Sequence, residues 1–340
     1  MRGELLGNFV WMVSDEGYRW SDLIGFGPRD GPPTLVPKSE CRGRPYHPLR
    51  KEPALFRTFA AVPPTPEGIL AFADQFGNLR ERTILRDLEG GRSPWAVGGE
   101  SLDAWCCEIR EMHRLVALWD LVRGKDMQAL ARHICWTDEA TYVLGNDRSE
   151  PRTMVYYDSH PDLKPKAKPK KPDERVGHII AAGVNIPESW KEPSSPDHVI
   201  APAVAYLRVR INQRLKGDVA AMLQDNPRDG CLTLQFVPQN LSGALWLQVA
   251  QGISAQKTYR RCTVCQKWYE VSPTVTRKDR QTCSAACRTR AWRARKERAQ
   301  EMYGDGRSIA EIAKVLDSKV ATVRSWIKGI KGTKGIRPID

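Results

Sequence analysis

Apolar residues recur with the period of a helix along several stretches of the chain. Between residues 102 and 122 they repeat at spacings of three and four, which predicts a long amphipathic helix. Its apolar stripe consists of Trp105, Ile109, Met112, Val116 and Trp119. Similar patterns predict helices over residues 126–134 and 203–215, and the apolar segment LSGALWLQVAQGIS predicts one more.

The helix expected after residue 65 has a recognisable start. Thr65 is a favourable N-cap residue, and Pro66 and Glu67 suit the first turn. The apolar face of this helix is Ile69, Leu70, Ala73 and Phe76. The segment CLTLQFVP instead alternates in the manner of a strand. Because helical patterns predominate, the sequence predicts a mainly α fold with minor β structure.

Two stretches lack any sustained period. Residues 1–45 mix tryptophans with the Gly-Pro cluster GFGPRDGPP, which predicts an irregular N-terminal segment. Residues 146–200 contain LKPKAKPKKPDE, a composition that can neither form a helix nor bury a core. We interpret this second stretch as a linker region.

Four of the nine cysteines lie close together near the C-terminus. Cys262, Cys265, Cys283 and Cys287 form a C-x2-C pair, a seventeen-residue spacer and a C-x3-C pair. Two such pairs can place four sulfurs tetrahedrally around Zn²⁺, and four protein ligands make a zinc site structural because no position stays open for water. Unmetallated thiols and an iron–sulfur site are the alternatives. The scattered remaining cysteines argue against a secreted disulfide framework, so we expect a cytoplasmic protein.

The formal net charge of +13 is confined to one end of the chain. Residues 1–250 hold 32 basic and 32 acidic side chains, whereas residues 251–340 hold 21 basic and 8 acidic ones. This asymmetry predicts nucleic acid as the partner of the C-terminal part, with a merely solvated basic surface as the alternative. Because the longest apolar stretches fall short of about 20 residues, no membrane partner is expected.

The segment RTRAWRARKERAQEMYGDG after the last clustered cysteine predicts a basic helix that ends at a pair of glycines. Arg290, Arg293 and Lys296 share one flank of this helix, and Trp292 belongs to an apolar stripe on another. Lys and Arg clusters bind backbone phosphates with little sequence information. The predicted phosphate contacts are Arg277, Lys278, Arg280, Arg288, Arg290, Arg293 and Lys296.

The segment RSIAEIAKVLDSKVATVRSWIKG predicts a helix-turn-helix. Ser308 caps a first short helix, a turn spans residues 317–319, and Val320, Val323 and Ile327 mark the inner face of a second helix. Asp317 stands where glycine is usual, a position that Asp tolerates. The positions expected to read DNA are Thr322, Arg324, Ser325 and Lys328. A purely structural helical hairpin is the alternative.

The expected organisation follows the chain in seven parts. These are an irregular segment (1–45), a helical module (46–145), a Pro/Lys-rich linker region (146–200), a helical and strand segment (201–256), a zinc-ribbon-like module with the basic helix (257–303), the helix-turn-helix (304–330) and a basic tail (331–340).

The motif C-x2-C…C-S-x2-C-R-x-R, with helical stretches before it, resembles the bacterial CGNR-type zinc-finger proteins, which have a stress-regulator-like N-terminal domain. In this chain Cys287-Arg288-Thr289-Arg290 stands where that family has Cys-Gly-Asn-Arg, and the helix-turn-helix is an addition. The resemblance implies a transcription regulator.

The sequence therefore predicts a cytoplasmic, nucleoid-associated DNA-binding regulator with structural Zn²⁺, and no enzyme. Residues 46–250 are expected to sense a small molecule or to bind a protein effector. The alternatives are an RNA- or protein-binding adaptor and a nucleic-acid-processing enzyme with nuclease-like activity in the N-terminal module. The candidate catalytic groups would be His113 with Asp120 and Glu111, or His133 with Cys135.

Overall fold

The computed structural model divides the chain into two compact units, Met1–Lys257 and Thr258–Asp340. The residues that it describes are 9–21, 33–38, 43–80, 100–136, 140–144, 177–182, 187–225, 231–271 and 279–328. Within these residues the chain is mainly helical, with small antiparallel sheets. The expected fold class is confirmed at this level.

The first unit begins with short strands. They are β1 (Trp11–Ser14), β2 (Tyr18–Ser21), β3 (Thr34–Pro37), β4 (Gly43–Tyr46) and β5 (Glu100–Ser101). β1 pairs with β4, and β3 lies between β2 and β5. The expectation of an irregular segment over 1–45 is therefore wrong for its described residues. The strands are only four residues or fewer, too short to show alternation, but Trp11, Val13 and Tyr18 are buried on them.

Helices form the body of the first unit. They are α1 (Pro48–Lys51), α2 (Leu55–Ala60), α3 (Pro66–Phe76), α4 (Leu102–Gly124), α5 (Met127–Leu130), α6 (Glu188–Lys191), α7 (Asp197–Asp218) and α8 (Leu241–Ser254). α4 packs against α2 and α7, and α8 packs against the same two helices. All five residues of the predicted α4 stripe are buried, which confirms that pattern.

The start of α3 agrees with its sequence. The Thr65 side chain accepts a hydrogen bond from the Gly68 backbone N–H at 3.3 Å, and Pro66 occupies the first turn. Phe72 is buried on this helix, whereas Leu70 is only half-buried. The apolar face is thus rotated slightly from the expected one, toward an aromatic contact between Phe72 and Phe59 at 5.2 Å.

Five further strands complete the first unit. They are β6 (Ile134–Trp136), β7 (Ala140–Leu144), β8 (Gly177–Ala182), β9 (Val219–Asp225) and β10 (Leu232–Pro238). The helix expected over 126–134 is shorter than predicted, because the chain turns into β6 to pair with β7. The expected linker region contributes β8, α6 and the start of α7, while the segment LKPKAKPKKPDE lies outside the described residues.

The second unit comprises β11 (Thr258–Arg261), β12 (Trp268–Val271), α9 (Ala285–Gly304), α10 (Ile309–Val315) and α11 (Val320–Ile327). β11 and β12 form an antiparallel hairpin, and α9 packs against both later helices.

Among the described residues, none of the helices combines the length and apolar composition required to cross a membrane.

Candidate metal centre and basic helix

The first cysteine pair lies on the tight connection between β11 and β12. Cys262 follows β11 directly, and its backbone N–H donates to the Lys267 carbonyl at 2.9 Å. The Gln266 N–H donates back to the Cys262 carbonyl at 3.0 Å, with Gln266 at a φ of 59°. This closed turn holds Cys262 and Cys265 on the same side of the hairpin end.

The second cysteine pair is placed by the start of α9. Ser284 is the N-cap residue, and its hydroxyl accepts a hydrogen bond from the Cys287 N–H at 3.2 Å. Cys283 therefore precedes the helix, and Cys287 lies in its first turn. A backbone bond from Thr263 to the Gln281 carbonyl at 3.1 Å ties this segment to the hairpin turn.

The four sulfurs converge to form one cluster. The Cys283 Sγ lies 3.5 Å from the Cys265 Sγ and 3.6 Å from the Cys287 Sγ, and all four Sγ atoms lie within 4.8 Å of one another. A tetrahedral ion with bonds of about 2.3 Å to sulfur needs edges of about 3.8 Å between sulfurs. The cluster can hold a metal ion, and the predicted set of four ligands is brought together.

The thiols of the cluster differ in acidity. Burial opposes ionisation of Cys262, but backbone N–H groups of Cys265, Cys283 and Val264 outweigh it and lower the thiol pKa to about 6. Burial and hydrogen bonds with the thiols of Cys265 and Cys287 raise the pKa of Cys283 to about 12. In the metal-free cluster, the Cys262 thiol therefore loses its proton easily, whereas the Cys283 thiol retains its proton. Metal binding would displace the retained proton.

A small aromatic core supports the cluster. Tyr269 is buried beside Cys262 and Cys287, and its hydroxyl donates to the Arg280 carbonyl at 2.5 Å. The Arg280 guanidinium lies over the Tyr269 ring at 5.4 Å and donates to the carbonyls of Thr282, at 2.6 Å, and Cys283. Arg280 is one of the predicted phosphate contacts. In the structure, its guanidinium stabilises the loop that carries the second cysteine pair.

α9 carries most of the predicted phosphate contacts. Arg288, Arg290 and Arg293 are exposed, and so is Arg295, which belongs to the same basic run but was not among the predicted contacts. Lys296 is half-buried, with its Nζ 5.6 Å from the centre of the Trp292 ring. Lys296 thus lies beside the apolar stripe. Arg277 and Lys278 lie outside the described residues.

The two helices after α9 are joined by a tight turn. Ser308 and Glu311 form a reciprocal capping box at the start of α10. Asp317 adopts a left-handed φ of 46° in the turn, and the Ser318 N–H donates to the Ala313 carbonyl at 2.9 Å. Aspartate thus takes the conformation for which glycine is usual.

The inner face of α11 differs from the predicted one in one place. Val323 and Ile327 are buried as expected, but Val320 is 44% exposed, and Trp326 supplies the missing apolar contact. The candidate base-reading residues Arg324, Ser325 and Lys328 are exposed, whereas Thr322 is half-buried and accepts, through its carbonyl, a bond from the Ser325 hydroxyl at 2.7 Å.

α9 belongs both to the metal cluster and to the packing of the helix pair. At one end it carries Cys287. At the other end, Ala299 and Met302 join a core with residues of α10 and α11. Gln300 also donates from its side-chain amide to the Trp326 carbonyl at 2.8 Å. One 20-residue helix therefore links the cysteine cluster to the helix pair.

The residues of the first set considered for catalysis make contacts with other parts of the fold. His113 contacts the Ala60 carbonyl through Nδ1 at 3.0 Å, and Asp120 pairs with Arg57 at 2.7 Å. Glu111 pairs with Arg210, at 2.5 Å, and with Arg214. His133 is half-buried, and the side chain of Cys135 lies outside the described residues. Each described group of the first set has its own structural partner.

Sequence reasoning missed one buried feature of the first unit. Glu108 accepts hydrogen bonds from Trp246 Nε1 at 2.6 Å and from the Ser242 hydroxyl at 3.1 Å, and it pairs with Arg214 at 3.2 Å. Glu108 and Glu111 thus join α4 to α7 through ion pairs, and Glu108 also joins α4 to α8 through hydrogen bonds. Nothing in the local spacing of these residues signals that contact.

Comparison of the chain with protein-family models, with curated proteins and with solved structures gives no match.

Proposed function

We propose that the chain is a DNA-binding, transcription-regulating protein whose four-cysteine cluster holds a structural Zn²⁺. The observation that carries this proposal is α9: a helix bearing five exposed arginines starts at the cysteine cluster and packs its far end against a helix pair. Metal binding would fix the start of this helix and so present its arginines in one arrangement.

Zinc is the preferred metal on the chemistry of its ligands. Four thiolates in a tetrahedral arrangement favour zinc or iron, and the cluster lies at a hairpin turn and a helix start, as in zinc-stabilised modules. Because all four positions are filled by protein sulfurs, the ion would stabilise the fold and would take no part in a reaction. Metal analysis of the purified chain should give about one zinc; iron, or no metal, would contradict this part.

DNA contacts divide between two surfaces in this proposal. The exposed arginines of α9 suit phosphate contacts, which supply affinity. α10 and α11 act as a helix-turn-helix in which the exposed Arg324 and Ser325 of α11, and Lys328 directly after it, face the DNA. The Met1–Lys257 unit acts as the module that senses a ligand or binds a protein effector, in a cytoplasmic setting.

Binding of the full chain to fluorescent duplex DNA at several salt concentrations tests the proposal. We expect affinity that falls steeply with salt, and a loss of affinity in the variant Arg290→Ala/Arg293→Ala. Arg298→Ala is the matched control, because Arg298 is exposed on the same helix but pairs with Glu301 at 3.0 Å. Binding without salt dependence would contradict the proposal, and RNA that competes better than duplex DNA would replace DNA as the partner.

A further inference from the structure

The hairpin formed by β9 and β10 carries an apolar surface on its exposed side. Leu223 pairs with Leu234, and Ala221 pairs with Phe236, so these residues point to one face of the ribbon. Leu232 belongs to the same face because it lies two residues from Leu234. The exposed fractions are 65% for Leu223, 64% for Leu232, 50% for Leu234 and 40% for Phe236. We call this set the ribbon face.

The opposite face of the hairpin is more polar and better covered. It carries Gln224, Thr233 and Gln235 besides Ala220, Met222 and Val237; Gln235 is buried, and Met222 is the exposed residue of this face. The Gln235 amide donates to the Thr233 hydroxyl at 3.1 Å, which satisfies part of that polar surface internally. A hairpin that packs onto its own chain normally turns its apolar face inward. In this hairpin the more apolar face is the exposed one, which indicates that the ribbon face contacts another surface.

The ribbon is held firmly at its base. β9 continues directly from α7, and β10 leads into α8. The Asn240 side chain donates to Asp218 Oδ1 at 2.8 Å, and the Gln239 N–H donates to the Asp218 carbonyl at 2.9 Å. Among the described residues, neither strand has a second neighbour in its sheet. A two-stranded ribbon of this kind is marginal alone and gains stability from a partner.

We propose that the ribbon face is a dimer interface that a second copy of this chain covers. The first argument is charge. Among the described residues of the hairpin, the one charged side chain on the side of the ribbon face is Asp225, at the end of β9. The face therefore offers nothing to a polyanion or to a charged peptide, whereas an identical apolar face is complementary to it. This inference is independent of the proposed DNA-binding function.

The symmetry of such a pair also fits the position of Asp225. If two ribbons pack face to face with their strands antiparallel about a two-fold axis, the tip of one ribbon lies over the base of the other. Each Asp225 then lies near the uncharged base of the second copy, where Val219 is half-buried. The two carboxylates stay about a ribbon length apart, on the order of 20 Å for seven residues per strand.

The size of the face predicts the strength of association. The exposed side chains amount to roughly 400 Å² of apolar surface per copy, the scale of the largest patch on an ordinary monomer. A standard interface uses about 800 Å² per partner. We therefore expect a weak dimer that forms with increasing protein concentration, with a dissociation constant in roughly the micromolar range.

Sedimentation of the full chain over a range of concentrations tests the proposal. We expect a monomer–dimer equilibrium, and we expect Leu223→Lys to raise the dimer dissociation constant at least tenfold. Met222→Lys is the matched control: Met222 is the adjacent residue and is 48% exposed, but it lies on the opposite face. It should leave the dimer unchanged. Circular dichroism and the melting temperature show whether each variant is folded.

A second measurement identifies the partner as another copy. Leu223 lies near the middle of the ribbon, so the two Leu223 side chains come close to each other across the two-fold axis. Mixing Leu223→Lys with Leu223→Glu should restore association that salt weakens. A chain that is monomeric at all concentrations would overturn the proposal. So would a dimer that Leu223→Lys leaves intact, or a monomer that this substitution destabilises, because the last result would assign the face to a contact within the chain.

Discussion

Replacing Cys287 by serine tests most directly how the metal cluster and α9 depend on each other. Cys287 is one of four sulfurs in the cluster and lies in the first turn of α9. A serine hydroxyl keeps the size of the side chain but is a poor ligand for zinc. We expect metal content to fall from about one ion per chain to near zero, and the start of α9 to lose its structure.

The expected loss of structure follows from the small size of the hydrophobic core around the cysteine cluster. Among the described residues, the buried core around the cysteines holds Tyr269 and Val271, with Val264 partly buried against them, and Tyr259 is buried on β11. Burial of one such side chain contributes about 1.5 to 3 kcal/mol. A structural zinc ion contributes about 10 to 16 kcal/mol at neutral pH. Because the metal contribution is several times larger, Cys287→Ser should release the hairpin and the first turns of α9, while the Met1–Lys257 unit stays folded.

Metal analysis, hydrogen exchange and DNA binding measured on the same preparation provide the assay. Amides of residues 279–290 should lose protection, and salt-sensitive DNA binding should fall at least tenfold. Ser284→Ala is the control: it removes the hydrogen bond to the Cys287 N–H at 3.2 Å, costs only about 1 kcal/mol and should keep the metal. A Cys287→Ser chain that retained one zinc and normal DNA affinity would refute the reasoning.

Three further predictions concern single contacts. Arg290→Ala/Arg293→Ala should reduce the slope of log affinity against log salt by about 1.8, since each phosphate contact contributes about 0.9; an unchanged slope would remove both residues from the interface. Glu111→Ala should cost about 3 to 5 kcal/mol of unfolding free energy in urea, because it removes the carboxylate that pairs with Arg210 and one of the two carboxylates that pair with Arg214. Glu188→Ala, which breaks an exposed pair with Lys191, should cost less than about 1 kcal/mol. Equal losses of unfolding free energy in the two variants would contradict the expected difference between a buried and an exposed ion pair. Burial raises the pKa of Glu100 to about 7, against hydrogen bonds from the Leu79 and Arg80 N–H groups, so the folded form favours the protonated carboxyl. The contribution of Glu100 to stability should therefore be complete below about pH 4.5 and should be lost, by up to about 3 kcal/mol, as the pH rises from 4.5 through 7. Glu100→Gln should remove this contribution to the pH dependence of unfolding, and a variant whose pH profile is identical to that of the wild type would contradict the prediction.

Local signals in the sequence predicted the elements that depend on local chemistry. The cysteine spacing identified all four members of the cluster because each pair lies on one turn or one helix start. α8 spans the predicted segment, and Thr65 caps α3 as expected. In each case the residues that decide the structure lie within a few positions of one another.

The predictions that were wrong concern residues whose burial depends on contacts with distant parts of the chain. Trp11 and Tyr18 were assigned to an irregular segment, yet both are buried on strands that pair with residues more than fifteen positions away. The helical period predicts Val320 on the inner face of α11, but Val320 is 44% exposed, whereas Trp326 is buried and meets Trp292 of α9 edge-on at 6.3 Å. A helical period shows which residues share a face, and the partner helix decides how much of that face is covered.

The buried charges of the first unit show the same limit most clearly. Glu108 and Glu111 lie one turn apart on α4, and both pair with Arg214 of α7. Sliding α4 along α7 by one turn would leave a buried carboxylate without its arginine, at a cost of several kcal/mol. The apolar stripe of α4 opposes such a shift less strongly, because hydrophobic burial has no direction. The charges therefore fix the register of the two helices, although in the sequence they resemble an ordinary solvated flank.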